Sequence, residues 1–441
     1  MRDIERQYCE GMEKERKKHY DSGQKALEYI KNSTAKYHGR CVRTLYLPKI
    51  FEKSDIDNFE NLLKVLYGIF DKVIERYLRD AEYRRLFGFD ERLEELILLK
   101  PLYKTKLPVA RIDIFYDEET GAFKFCEFNT DGTSAMNEDR ELNNALRLTR
   151  AYQRFADMHN VRTFELFDTL ARELKGIYDT TQYPVEHPHC GIVDFMDCAT
   201  ENEFMIAAQS LERNGCSAEL CEIRELTYDG SALYSPSGRK LDMIYRRAVT
   251  CDIMAHYDEV QPFLQAVRDG NVCLLGDFRT QIVHNKIFYQ VVQQEETLSM
   301  LTEGERVFVK EHFPYTERYQ PDLVPAEMLI ENQEKWILKP EDSYGSKGVY
   351  AGVEYDRREW EELVRKQYGK HYIAQEFCTP YRSVNIDLMK SSDAEFQEYS
   401  NITGLYVYNG TFYGIYSRIA ECSVISTQYS EMAVPTIVVE D

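Results

Sequence analysis

The chain has 441 residues, a formal net charge of −20, 43% hydrophobic and 29% charged residues. That length allows roughly two or three packed units, and the composition excludes a disordered chain or a coiled-coil rod. So acidic a surface repels phosphate backbones and anionic headgroups, which excludes nucleic acid and membrane as expected partners.

The opening residues Met1 to Tyr8 mix charges without an apolar stretch, and no later apolar run reaches the roughly 18–20 residues of a membrane helix. A cytoplasmic location is expected. Eleven cysteines, none in a Cys-x-x-Cys pair, argue against a disulfide framework or a zinc ribbon and for buried thiols.

In chain order, the first strong signal runs from Ser54 to Arg85. Phe59, Leu62, Leu66, Phe70, Val73 and Leu78 recur there at helical spacing behind a Ser54-x-x-Asp57 start. Next, from Val109 to Asn129, two strand-like runs flank an acidic turn ending at Gly121, a hairpin pattern. If the turn is an odd-length loop centred near Glu119 or Thr120, odd residues oppose odd residues. Arg111, Asp113, Glu127 and Asn129 then share one face, while Ile112, Ile114 and Phe128 point the other way and leave the polar face open. Two carboxylates and an amide oxygen are hard donors of the kind Mg²⁺ takes beside substrate phosphates, and Arg111 suits phosphate oxygens. A solvated strand face with an Arg–Asp pair fits the same pattern.

Residues 138–174 predict a second helical stretch. After it, the apolar run from Gly191, a helix from Glu201 to Arg213 ended by Asn214-Gly215, and the alternating run from Ala218 predict a β-α-β unit without a Gly-x-Gly-x-x-Gly loop. Glu201 and Glu203 on its helix read as surface charges, with reception of a cationic amine as the alternative. The segment from Lys335 to Val353 reads as strand, glycine-containing loop, strand, and it is not a P-loop. A lysine at such a strand end can contact nucleotide phosphates covered by loop amides; an ordinary strand end beside a turn is the alternative. Asp356 and Glu359 form a capping-box pattern. Tyr372 to Phe377 reads as a strand running into a loop, and Asn409-Gly410 is a two-residue hairpin turn.

Taken in order, these segments resemble the ATP-grasp domain of glutathionylspermidine synthase and related acid–amine ligases over roughly residues 105–441. The Glu-x-Asn motif precedes the lysines rather than following them, as in the circularly permuted members. The resemblance also rests on His284-Asn285-Lys286, Ile337 to Pro340, Tyr372 to Glu376, and the tail from Tyr416 through Pro435. It implies that Asp113, Glu127 and Asn129 bind Mg²⁺, that Lys286 and Lys339 bind ATP phosphates, and that Gly345, Lys347 and Gly348 form the covering loop. Gln375, Glu376 and Phe377 would line the adenine. Arg111 and Arg418 would stabilise phosphate and developing charge, Arg418 from across the phosphates; pairing with Glu421 is the alternative for Arg418. The loop carries Lys347 where the glutathione-using enzymes have a Gly-Arg-x-Gly pattern, and no counterpart of the amidase domain fused to some members is expected.

The expected fold is therefore α/β (α+β): a circularly permuted ATP-grasp with an inserted Rossmann-like pre-ATP-grasp domain and an N-terminal helical scaffold. The units are 1–184, containing the metal hairpin 105–135, then 185–280, then 281–441. The implied activity is ATP- and Mg²⁺-dependent ligation of a small-molecule or peptide carboxylate to an amine, a polyamine among the candidates, through an acyl phosphate. A non-catalytic, ATP-gated binding module on the same fold is the alternative.

Overall fold

The computed structural model describes residues 1–37, 39–197, 199–425 and 430–441. Its central feature is a six-stranded antiparallel sheet that draws on both ends of the chain. The strands run in the order Met432–Val434, Thr411–Ala420, Phe396–Tyr408, Val109–Tyr116 and Phe123–Asn129, with Arg382–Ile386 pairing on Phe396–Tyr408. Asn409 and Gly410 both take positive φ, 50° and 79°, and join the two longest strands as a two-residue turn matched to their twist. The hairpin that the sequence groups with the N-terminal helices is thus hydrogen-bonded to strands from the last fifty residues or so. Lys49–Glu52 also lies parallel to Thr436–Val439.

The helix Lys53–Arg79 packs its apolar stripe on one face of this sheet, where Phe59, Leu66, Phe70 and Val73 meet Ile112, Ile114, Phe128 and Leu405 in one buried cluster. Phe70 and Phe128 ring centroids are 5.1 Å apart. Its start differs from the Ser54 expectation. The Glu52 amide donates to Asp55 Oδ2 at 2.8 Å, so the capping box is set two residues earlier. The helix also ends at Arg79 instead of Arg85, because the Asp80 side chain accepts from the Glu82 and Tyr83 amides and starts a new turn. Likewise the stretch 138–174 divides into Met136–Leu146, Arg150–Ala156 and Phe167–Asp179. Thr149 caps the second piece, and Val161–Arg162 leaves to pair with Thr436–Val439.

The β-α-β pattern is present as His189–Asp194, the helix Glu201–Arg213 and Ser217–Glu222. These strands belong to a parallel four-stranded sheet in the order Cys273–Leu275, Met243–Arg246, His189–Asp194, Ser217–Glu222. A third, antiparallel sheet has the order Thr316–Arg318, Tyr372–Glu376, Trp336–Pro340, Tyr350–Ala351. Trp336, Leu338 and Ala374 on one of its faces pack against Leu329, Trp360 and Val364. Alternation along the strands sends Ile337, Lys339 and Gln375 to the other face. The Asp356–Glu359 capping box opens the covering helix Arg357–Gln367 as expected. The architecture is mixed α/β with several sheets, and among the described residues no helix is long and apolar enough to cross a membrane. The ten described cysteines are all free thiols.

Candidate active site

A cleft of about 880 Å³ lies between the polar face of the six-stranded sheet, the third sheet and the parallel sheet. Of the thirteen site residues read from the sequence, eleven line it: Arg111, Glu127, Asn129, Lys286, Lys339, Gly345, Lys347, Gln375, Glu376, Phe377 and Arg418. Asp113 and Gly348 are not among its lining residues. Gly348 takes φ +73°, and a Cβ there would fall 2.7 Å from Tyr372 Oη, so only glycine lets the loop close on the strand end.

The hairpin register puts Arg111 opposite Asn129 and Asp113 opposite Glu127, the pairing inferred from the sequence, but for a different reason. The loop between Tyr116 and Phe123 has an even number of residues, and the strands regain odd-to-odd pairing through a bulge at Cys126 between Phe125 and Glu127. Being the extra residue, Cys126 has a carbonyl outside the ladder, and that oxygen accepts from Lys339 Nζ at 3.3 Å. Lys339 also donates to Gln375 Oε1 at 2.8 Å, and Gln375 Nε2 donates to Thr316 Oγ1 at 2.9 Å. The bulge thus ties the hairpin to the lysine of the third sheet.

The polar face is enclosed, not open. Asp113 is wholly buried and Arg111 and Arg418 nearly so. Arg111 grips Asp113 with two parallel bonds, Nε to Oδ1 at 2.8 Å and Nη2 to Oδ2 at 3.0 Å. Arg418 Nη2 and Asn129 Nδ2 donate to the same Oδ2. Arg418 therefore sits on the same sheet face as Arg111 rather than across a ligand from it. Its second carboxylate is Glu431 at 3.6 Å rather than Glu421. Both guanidinium groups stand about equally far from the Tyr416 ring, 5.6 and 5.7 Å. Asp113 and Glu431 hold Arg418 well above the usual arginine range despite burial.

Burial alone would raise the Glu127 carboxyl, but Lys286, Arg418, Arg111 and Lys339 outweigh it and hold the group down to about 2. Lys286 is pushed down by burial against the pull of Glu127 and Asp342. Its Nζ donates to the Ser343 carbonyl at 2.8 Å, and its amide to the Glu341 carbonyl at 2.9 Å, so it is pinned beneath the loop Asp342 to Gly348. Lys347 is exposed, its ammonium 4.7 Å from the Tyr344 ring centre. Phe377 follows the strand end, its amide bonded to the Lys335 carbonyl at 2.8 Å.

Among the described residues no three His, Cys, Asp or Glu side chains converge as a metal-holding group. Glu127 and Asn129 still present hard oxygens to the cleft: the Asn129 amide nitrogen faces Asp113 and Glu127, which turns its oxygen away from them. A Mg²⁺ ion that takes most of its shell from phosphates and water fits that pair. Asp113 already spends both oxygens on arginine and asparagine donors.

Several residues in the cleft or buried behind it gave no usable signal in the sequence. Glu203 is buried, contrary to its reading as a surface charge, because its Oε2 accepts from the Asn137 amide at 3.3 Å and caps the helix Met136–Leu146 from another unit of the fold. Arg247 pairs with it at 3.5 Å. Glu138 and Glu431 line the cleft beside Tyr416. Nothing local marks them, since helix-start and loop acids are ordinary.

No family model matches the chain, and no curated protein does. Among solved structures it is similar to a glutathione synthetase-like effector from Globodera pallida in its apo form, with TM-score 0.62, 12% identity, and coverage of 95% of this chain and 97% of that one. Weaker matches are a protein described as a gamma-glutamylcysteine synthetase from Methylobacillus flagellatus KT (TM-score 0.40, 11% identity, 82% and 84% coverage) and the D-cycloserine synthetase DcsG (TM-score 0.28, 13% identity, 57% and 92% coverage). At such identity the first likeness is one of fold, and in fold this chain is similar to a glutathione synthetase-like protein over nearly its whole length.

Proposed function

We propose that the chain is an ATP- and Mg²⁺-dependent carboxylate–amine ligase on a circularly permuted ATP-grasp fold, joining its substrates through an acyl phosphate. The observation that carries this reading is the convergence of Lys286, Lys339, Arg111 and Arg418 around Glu127 and Asn129 in one cleft. Fixed cations grouped about two oxygen donors suit a polyphosphate with its cation better than any uncharged ligand. The parallel-sheet unit corresponds to the inserted domain, and the likeness to a glutathione synthetase-like fold agrees with the assignment.

In this reading Lys286 and Lys339 bind the nucleotide phosphates beneath the loop 342–348. Gln375, Glu376 and Phe377 border the base. Mg²⁺, when bound, offsets charge between the phosphates. Arg111 and Arg418, locked by Asp113, meet the charge that gathers on the transferring phosphoryl group and on the carbonyl oxygen as the amine attacks. Because the salt bridges fix both guanidinium groups beforehand, little reorganisation is needed during the reaction.

Incubation with Mg·ATP and a panel of acid–amine pairs tests the proposal. ADP and phosphate should appear only when both partners are present. ATP binding without turnover across a broad panel would favour an ATP-gated binding module instead.

A further inference from the structure

We propose that Asp131 is a positioning residue through which the parallel-sheet unit sets two groups of the cleft, Asn129 and Arg111. The inference rests on the ligase reading for the identity of the metal and nucleotide, while the clamp itself is a matter of geometry. Asp131 lies two residues beyond Asn129, where the chain leaves the central sheet. Its Oδ1 pairs with Arg246 Nη1 at 2.6 Å, and its Oδ2 accepts from the Thr250 amide at 2.7 Å. Both side chains of the ion pair are only 1% exposed. The Arg246 guanidinium also donates to the Ala248 carbonyl at 2.8 Å and to the Thr250 and Thr280 hydroxyls at 3.2 Å each. The cation that meets Asp131 is therefore held from several sides, and Asp131 is the carboxylate paired with it among the described residues.

A fully buried ion pair is a poor adhesive, because desolvation of two charges offsets most of their attraction. What it supplies is direction. The residues around Asp131 carry that direction to the site. Thr130 Oγ1 donates to the Thr280 carbonyl at 2.8 Å, and the Thr133 carbonyl accepts from Arg247 Nη1. Gly132 takes φ +65°, and a Cβ there would fall 2.5 Å from Val249 Cγ1, so only glycine lets this loop press on the parallel-sheet unit. The loop's other bonds face the cleft. Thr133 Oγ1 donates to the Asn129 carbonyl at 2.6 Å, while the Ser134 carbonyl accepts from Arg111 Nη1 at 3.0 Å and from the Tyr406 hydroxyl at 2.9 Å. Residues 130–134 thus form a mount for Asn129 and Arg111 whose anchor points, Arg246, Arg247, Thr250 and Thr280, belong to the parallel-sheet unit. Lys286 and Lys339 are held elsewhere, by the Ser343 and Cys126 carbonyls and Gln375. Loosening the mount should cost the metal and spare the grip on the phosphates.

The test titrates the non-hydrolysable ATP analogue AMP-PNP calorimetrically into the full chain, once with saturating Mg²⁺ and once in EDTA. Mg²⁺ should tighten binding to wild type. Asp131→Asn should weaken binding in Mg²⁺ about tenfold, the lower end of the range for losing a group that orients a metal ligand, and leave binding in EDTA unchanged. Arg246→Lys keeps the charge but loses the planar fork; it should shift the Mg²⁺ affinity less, in the same direction, and it stands in where Asp131→Asn fails to fold. Tyr103→Phe separates position from general loosening, since it removes a bond to the Leu274 carbonyl of the same sheet. It should lower the melting temperature without changing either affinity. Equal Mg²⁺-dependent affinity in wild type, Asp131→Asn and Arg246→Lys overturns the inference and leaves the ligase reading intact, as does a loss in Tyr103→Phe as large as that in Asp131→Asn. The expected loss without turnover of any acid–amine pair removes the ligase reading alone. Wild-type binding that is indifferent to Mg²⁺ overturns both.

Discussion

Asp113 and Arg418 come from strands that do not touch, and they bond across the strand between them because that strand carries Gly404 at the crossing. Gly404 pairs with Asp113 on one side and Tyr416 on the other. A Cβ there would lie 2.7 Å from Asp113 Oδ1 and 2.8 Å from Arg111 Cδ. Gly404→Ala should consequently cost about 1–3 kcal/mol of stability by overpacking and displace both arginines. Denaturant unfolding together with ADP release checks this; unchanged stability and turnover would show that the crossing tolerates a methyl group.

Arg418→Ala should lower kcat about a hundredfold, in line with losing one donor to developing charge, while the Kd for Mg·ATP changes only a few-fold. A cation that acts mainly in the transition state splits the two parameters this way. Arg418→Lys should not restore turnover, since one ammonium cannot span Asp113 and Glu431 as Nη1 and Nη2 do. Equal losses in Kd and kcat, measured by steady-state kinetics and equilibrium binding, would make Arg418 a plain nucleotide contact.

Glu127→Gln should nearly abolish ADP formation. It should also lower the melting temperature, because Lys286, Arg418, Arg111 and Lys339 lose the anion they surround. An open strand-face residue would change stability by only about 0.5 kcal/mol, so a clear loss in calorimetry distinguishes the enclosed cation cluster from a solvated face. Raising Mg²⁺ should not rescue the variant.

Glu138 predicts the sign of a pH effect. Burial, then Glu203 and to a smaller extent Glu431, push its folded-state carboxyl up to about 8 against the pull of Arg111, whereas an unfolded glutamate titrates at about 4.3. Between those values the folded state holds the extra proton, so this group subtracts stability as pH rises from about 4.3 to 8. Glu138→Gln removes that term, and the variant should gain melting temperature over wild type at pH 8 but not at pH 4.5. Parallel curves across that range would contradict the assignment.

Much of this protein is determined by local pattern. Side-chain alternation set Arg111 beside Asp113 and Glu127 beside Asn129 on one face of each strand, the Asn409-Gly410 pair required its hairpin, and the Asp356–Glu359 box started its helix; each depends on residues within a few positions of one another. Other features follow from contacts that no local pattern encodes. The even loop corrected by a bulge at Cys126 needed Lys339, more than two hundred residues away, to give the freed carbonyl a partner. Glu203 looks like a surface acid until the helix Met136–Leu146 brings its unpaired amides to it. The enclosure of Asp113 depends on Gly404 and Arg418, which reach it only once the two ends of the chain share a sheet. Electrostatics and packing act through space, so the sequence specified which groups were available, and the tertiary structure decided which of them became neighbours.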